Sequence, residues 1–316
     1  MNAFLAKALL IVCGAVVALS LPFWISSYGL HVLDLSLISA IAVLGLCFAF
    51  GYAGLLHLGQ AAFVGVGAYT SAAIAIRFGF GYWLSMPVAV AFTTIAAVII
   101  GVPLLRLRGH YLALATVGLN VTVEIVAKNW LEMTGGDNGM SGIPGIAIAG
   151  FRFDTDRRFF FLLAVTLAFA SLIALAIRHS RFGRAMIAVR DDEMACGACG
   201  VSVRAAKVMA FTIAAAYAGV SGTLYAHYAH YVAPNDFDLV HSITLLVMLI
   251  VGGETSILGA IGGAVLISFA PEFLRFLGEA YLAIFGVGVL IILIVMPEGL
   301  AGALSRFRRF AVARHD

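Results

Sequence analysis

The sequence predicts an all-α integral membrane protein, and three observations carry that prediction. Hydrophobic residues make up 63% of the 316 residues and charged residues only 11%, against about 25% charged in a soluble domain. The mean hydropathy is +1.06, and apolar runs of about 20 residues, enough to cross about 30 Å of hydrocarbon, recur from end to end. The runs show no apolar–polar alternation. A backbone in lipid must satisfy its own hydrogen bonds, so unalternated runs mean helices rather than a barrel.

Taken in order, the runs give about ten spans, near 8–25, 30–50, 59–77, 82–105, 109–128, 158–177, 205–226, 239–252, 256–275 and 280–297. Lys7 before an apolar stretch also reads as a signal peptide. Against that, "LSLPFWISSYG" is a poor small-residue cleavage site and a second run follows at once. Lysine and arginine set the orientation. With the N-terminus inside, the inner segments carry Lys7, Arg106, Arg108, the basic residues between Arg178 and Lys207, and Arg306, Arg308, Arg309 and Arg314. The outer segments carry only Arg77, Lys128, Arg152, Arg157, Arg158 and Arg275. Both termini are therefore expected in the cytoplasm. The net charge of +3 follows from this asymmetry and does not argue for nucleic acid; the surface offered is one for membrane lipid.

Residues 1–316 read as one transmembrane domain interrupted by two hydrophilic stretches. The first, about 129–157, faces outside. Gly135, Gly136, Asn138, Gly139 and Gly142 supply turn chemistry and Pro144 stops any helix; an ordered external loop and a flexible connector are the two readings. The second, about 178–207, faces the cytoplasm. Phe182, Met186 and Val189 fall at helical spacing and Gly200 is placed to end the helix. A positive-inside loop explains the arginines. A short surface helix offering one face to a soluble partner explains the arginines, the "DDE" and the apolar stripe together.

Several chemistries are excluded. The lysines at 7, 128 and 207 are followed by Ala8, Asn129 and Val208, so none sits in a GxxxxGK[ST] phosphate loop. HExxH, GxSxG and EF-hand patterns are absent. The chain is expected not to be an enzyme, to hold no metal and to need no cofactor of its own. Cys13 and Cys47 lie in spans; Cys196 and Cys199 form one CxxC, which without a second pair reads as two small residues on a short helix.

The stretch "GYAGLLHLGQAAFVGVGAYTSA" (51–72) gathers glycine, histidine and glutamine where a lipid-facing helix would use leucine. Gly51, Gly54 and Gly59 allow a broken or re-entrant helix, which a membrane tolerates only inside protein or beside water. Ala61, Gly65, Ala68 and Ala72 then form a ridge of small residues. Ala210, Ala214, Ala218, Gly222 and Ala226 repeat it on the seventh span, and Gly259 and Gly263 on the ninth. The ridge serves packing on one reading and a substrate path on the other. Polar residues within spans are costly and mark path candidates. Thr116, Asn120 and Glu124 share one face of the fifth span, although Glu124 is also placed to pair with Lys128. His241 and Thr244 lie on the eighth, and His57 and Gln60 near the cytoplasmic mouth.

Four segments, in this order, carry a resemblance: "GYAGLLHLGQAAFVGVGAYTSA", "TGGDNGMSGIPG", "RHSRFGRAMIAVRDDEMACGACG" and "LLVMLIVGGETSILGAIGGAVL". Together they closely resemble the LivM-type permeases of the branched-chain amino acid ABC importers, the LivH/LivM family, over nearly the whole chain. The resemblance implies a multi-pass subunit of the cell inner membrane working with a homologous LivH-type permease. It also implies two cytoplasmic ATPase subunits, which bind the ATP, and a periplasmic solute-binding protein. It gives an ATPase-docking role to Arg181, Phe182, Gly183, Arg184, Arg190, Asp192, Glu193 and Gly200. Two departures stand out: His57 replaces a usual serine, and Glu254 and Thr255 follow Gly252 and Gly253 where small apolar residues are expected. Relatives that carry urea, amides or aromatic acids leave the solute open, and an ion-coupled carrier working alone is the alternative from another class.

Overall fold

A computed structural model of the chain describes residues 22, 24–107, 109–148 and 150–274, with 286–288, 290, 299, 300 and 302. The helices are α1 (Ser27–Leu46), α2 (Gln60–Phe78), α3 (Tyr82–Leu104), α4 (His110–Asn129), α5 (Asp156–His179), α6 (Arg181–Asp191), α7 (Glu193–Ala198), α8 (Val203–Ala229), α9 (Leu239–Gly252) and α10 (Ile257–Leu274). A π-helical segment, Cys47–Tyr52, extends α1. Among the described residues, seven segments are long and apolar enough to cross a membrane, and the apolar helix Ile257–Phe273 is shorter. They coincide with the expected spans from 30–50 to 256–275. The expected spans 8–25 and 280–297, Cys13, Arg108 and both termini lie almost wholly outside the described residues.

Local chemistry sets the ends of the elements. Ser26 Oγ accepts from Gly29 N, Ser202 Oγ from Ala205 N and Asp238 Oδ1 from His241 N, each occupying an orphan donor at a helix start. Gly79, at φ 66°, closes α2 in the left-handed conformation that glycine adopts without strain.

Helix α8 is the axis of the bundle and packs along α1, α2 and α3. Its small ridge is the reason. Ala210, Ala214, Ala218 and Ala226 are fully buried, and a Cβ added at Gly222 would lie 2.0 Å from the Val64 carbonyl oxygen. One added at Gly67 would lie 2.7 Å from Gly219 Cα. Backbones this close exchange side-chain volume for van der Waals contact, the main attraction between helices in lipid. Helix α10 packs on α1 and α9 by the same device: a Cβ at Gly263 would lie 2.1 Å from the Met248 carbonyl oxygen, and one at Gly252 equally close to that of Gly259.

The 129–157 stretch is folded. Strand β1 (Met140–Ser141) pairs antiparallel with β4 (Tyr231–Val232), and β2 (Ala147–Ile148) with β3 (Phe151–Arg152). Ile143 and Ile146 are buried beneath them. Two histidines at the end of α8 latch the loop: His227 Nδ1 lies 2.7 Å from the Pro144 oxygen and His230 Nδ1 2.9 Å from that of Ile143.

Candidate functional site

Between the π-helical segment and α2 the chain runs without helix from Gly54 to Gly59, with Leu55, His57 and Gly59 buried. Gly54 takes φ +64°, with Arg190 packed where a side chain would sit. Helix α2 therefore starts inside protein with orphan N–H groups, and its N-cap Gly59 has no side chain to satisfy them. Neighbouring helices do so. Thr116 Oγ1 accepts from Leu58 N (3.0 Å), Ser242 Oγ from Ala61 N (2.9 Å) and Asn120 Oδ1 from Ala62 N (2.9 Å). Asn120 Nδ2 also donates to the Phe237 oxygen at 3.2 Å, and Ser242 Oγ donates to Asn120 Oδ1.

Thr116 and Asn120 are thus fully buried caps that join α4 and α9 to the start of α2. Glu124, the third residue of that face, pairs with Lys128 at 2.7 Å. Gln60 Nε2 bridges the carbonyls of Ala42 and Ala214, tying α1 to α8. His57 is buried against Phe63 and Phe211, its ring centroid 4.8 Å from that of Phe211. His57 and Gln60 are thus both buried within this chain. Gly59 comes close to the Thr116 carbonyl, and Gly65 packs against the Phe237 ring.

His241 and Thr244 are placed differently. They line a cavity of about 420 Å³, open on one side, between α1, α8, α9 and the turn 234–238. Leu35, Ile38, Val64, Phe237 and Val240 form its apolar wall; Ser39, Asn235, Asp236 and Asp238 add polar groups. Its size lies within the range of small-molecule sites, about 300–1,000 Å³.

At the other end of α5, α6 and α7 form an angular pair. Ser180 Oγ caps α6 and Asp192 Oδ1 caps α7. Gly200, at φ +80°, follows the end of α7. Gly183, Met186 and Val189 are buried, whereas Phe182 is 43% exposed and stacks beneath Arg181, 4.9 Å from its guanidinium carbon. The expected stripe is corrected accordingly: Gly183, not Phe182, takes the inward position. Arg181, Arg184, Asp192 and Met194 are exposed. Arg190 reaches inward, donating to the Gly51 carbonyl and to the Glu254 carboxylate. Glu193 accepts from Lys207. At Gly51 a Cβ would strike the Glu254 carbonyl.

Sequence reasoning missed Ser242, His227 and His230, and also Asp34. The Asp34 side chain is fully buried in α1 near Tyr228 and Asp156, and Tyr228 in turn holds His31 Nδ1 at 2.7 Å. Nothing in the local pattern marked these residues, because each gains its partner from a distant part of the chain. Among the described residues no group of three or more His, Cys, Asp or Glu is arranged to hold a metal. Cys196 and Cys199 are free thiols.

The profile of the family described as "Branched-chain amino acid transport system / permease component" matches residues 28–296. The chain is 35% identical to the high-affinity branched-chain amino acid transport system permease protein LivM of Escherichia coli (strain K12), over 93% of this chain and 75% of that protein. It is 34% identical to the LivM of Salmonella typhimurium (strain LT2), over 90% and 72%. To the E. coli K12 LivH protein it is 29% identical over 42% and 44%. No solved structure matches.

Proposed function

The chain belongs to the family of permease components of branched-chain amino acid transport systems, and on that premise we propose how its parts divide the work. It is a multi-pass inner-membrane subunit of an ABC importer for branched-chain amino acids, one of a pair of related permeases. In the proposed assembly this chain builds one wall of the route, with His241 and Thr244 on it, and a homologous LivH-type permease builds the other. Two ATPase subunits bind the ATP and dock on α6 and α7. A periplasmic solute-binding protein delivers solute at the end where the 129–157 loop lies. Ten spans in a single domain, 1–316, with both termini on the ATPase side, complete the proposal; the lysine and arginine asymmetry supports that orientation.

One observation carries the docking role. Helices α6 and α7 are capped and anchored to the bundle by Arg190, yet they expose Phe182 and Met194, the latter by 85%. Large apolar side chains on an exposed, rigidly held and charge-rimmed face mark an interaction surface. Phe182→Ala with Met194→Glu is expected to abolish co-purification of the ATPase subunits while leaving the permease pair intact. Recovery of the ATPases in parental yield would overturn the docking role.

A further inference from the structure

We infer that the cavity between α1 and α9 is a station for the ammonium group of an apolar zwitterion, with Asp236 and Asp238 as its anionic partners. The inference rests on the proposal that this cavity lies on the route.

The backbone beside the cavity is the first reason. Pro234–Phe237 is a 3₁₀ turn at the start of a membrane-spanning segment, Pro234–Gly252. Backbone that departs from the α-helix within such a segment is tolerated where it is buried in protein or lines water. Both solutions appear here. The Phe237 carbonyl is taken up by Asn120 Nδ2, while Asn235, Asp236 and Asp238 line the cavity.

Charge is the second reason. No lysine or arginine is found among the described lining residues. Both carboxylates are held by nearby backbone: Asp236 Oδ2 accepts from Ala233 N at 3.0 Å, and Asp238 Oδ1 from His241 N at 2.8 Å. Asp238 Oδ2 accepts no hydrogen bond among the described residues, and the Tyr225 hydroxyl stands beside Asp236. The acceptors are fixed in place before any ligand arrives. An ammonium brings three donors and no acceptor, which fits such a rim, and a free carboxylic acid without an amine is repelled by it.

The third reason is the apolar part of the lining. Ile38, Val64, Phe237 and Val240 present the apolar surface that an aliphatic side chain would cover. The carboxylate of the zwitterion finds no lysine or arginine among the described lining residues. It would face the open side of the cavity, where another subunit completes the site.

The test uses the assembled importer with all four cysteines replaced and Thr244→Cys introduced. Cationic and anionic methanethiosulfonates of similar size are reacted with it, and leucine uptake is followed. The cationic reagent is expected to react about tenfold faster, because a cleft lined by one sign of charge concentrates the opposite ion. Asp236→Asn with Asp238→Asn keeps an acceptor oxygen for both backbone caps. It should bring the two rates together and cut leucine uptake about tenfold, with ATPase recovery unchanged. If that pair does not assemble, Asp238→Asn alone should narrow the difference in rates. Equal rates in the parental background, with modification still blocking uptake, would overturn the ammonium station and leave the route standing. Modification without effect on uptake, or no reaction at all, would overturn the route and the station with it.

Discussion

Arg190 and Glu254 form an ion pair that joins α6 to the loop between α9 and α10, and the same guanidinium holds the Gly51 carbonyl at the helix break. A surface helix, the break before α2 and the α9–α10 corner thus meet at one planar, five-donor group. A lysine has the charge but not the fork, so it cannot serve both acceptors with the same geometry.

Arg190→Lys is therefore expected to leave the protein folded and weaken the link between ATP hydrolysis and uptake. Both side chains are about one third exposed, so the pair itself contributes about 1 kcal/mol or less. The larger effect should be in the ratio of leucine transported to ATP hydrolysed, which we expect to fall several-fold. An unchanged ratio in proteoliposomes would show that this junction is only a fastening.

The caps on α2 predict an order of stabilities. Asn120→Ala strips the partner from Ala62 N–H and the Phe237 carbonyl, both inside protein. An orphaned buried group costs about 1–3 kcal/mol. Thr116→Ser keeps the hydroxyl that Leu58 N–H requires, whereas Thr116→Val removes it. Thermal unfolding in detergent should rank Asn120→Ala lowest and Thr116→Val next, with Thr116→Ser close to the parent. A neutral Asn120→Ala would mean that water reaches the helix start.

Much of the fold was legible because a span must be about 20 apolar residues long and a break needs glycine. The breaks near Gly54 and Gly59 and the ridge from Ala210 to Ala226 follow from those two requirements. The destination of a polar face was not legible. Four-residue spacing puts Thr116 and Asn120 on one side of α4, but only the packing of α2 and α9 decides whether that side meets water or backbone. Phe182 shows the same limit at shorter range. Starting the helix at Arg181 leaves it at the edge of the buried stripe, one position away from Gly183, whose missing side chain lets α6 close against the Ile177 and Arg178 carbonyls.

The glycines should separate by what a methyl group would meet. Gly222→Ala drives a Cβ into the Val64 carbonyl oxygen at 2.0 Å, backbone against backbone. At Gly65 the neighbour is the Phe237 ring at 3.0 Å, a side chain with some freedom, while nothing lies within 4 Å of Gly118. The yield of assembled complex should fall sharply for Gly222→Ala, modestly for Gly65→Ala and not at all for Gly118→Ala. Gly65→Leu should match the severe case. Equal yields throughout would mean that the α2–α8 crossing is looser than described.

The 129–157 loop supplies the last prediction. His227 is buried and touches three partners: Ser71 Oγ at 3.0 Å, Ser85 Oγ at 3.3 Å and the Pro144 carbonyl at 2.7 Å. One ring thus joins α2, α3 and the loop. The loop has further fastenings in the β1–β4 pairing, the Tyr231 hydroxyl bond to the Asn138 carbonyl at 2.8 Å, the His230 bond to Ile143 and the Trp83 Nε1 bond to the Ala147 carbonyl at 2.9 Å. Short two-residue strands are not stable by themselves, so the hairpin Ala147–Arg152 depends on these side chains. His227→Ala should release it, because the Pro144 carbonyl and the two buried serines lose their common partner together. Arg152 is exposed at the end of that hairpin, and trypsin added from the proposed outer side should then cut after it several-fold faster. Cleavage in 178–207, at the opposite end of α5, should be unchanged in inverted vesicles. Trp83→Phe, which loses one exposed hydrogen bond, should accelerate the outer cut less. If His227→Ala leaves cleavage at Arg152 at the parental rate, the loop is held by Ile143 and Ile146 burying their side chains, and the histidine serves only to join α2 to α3.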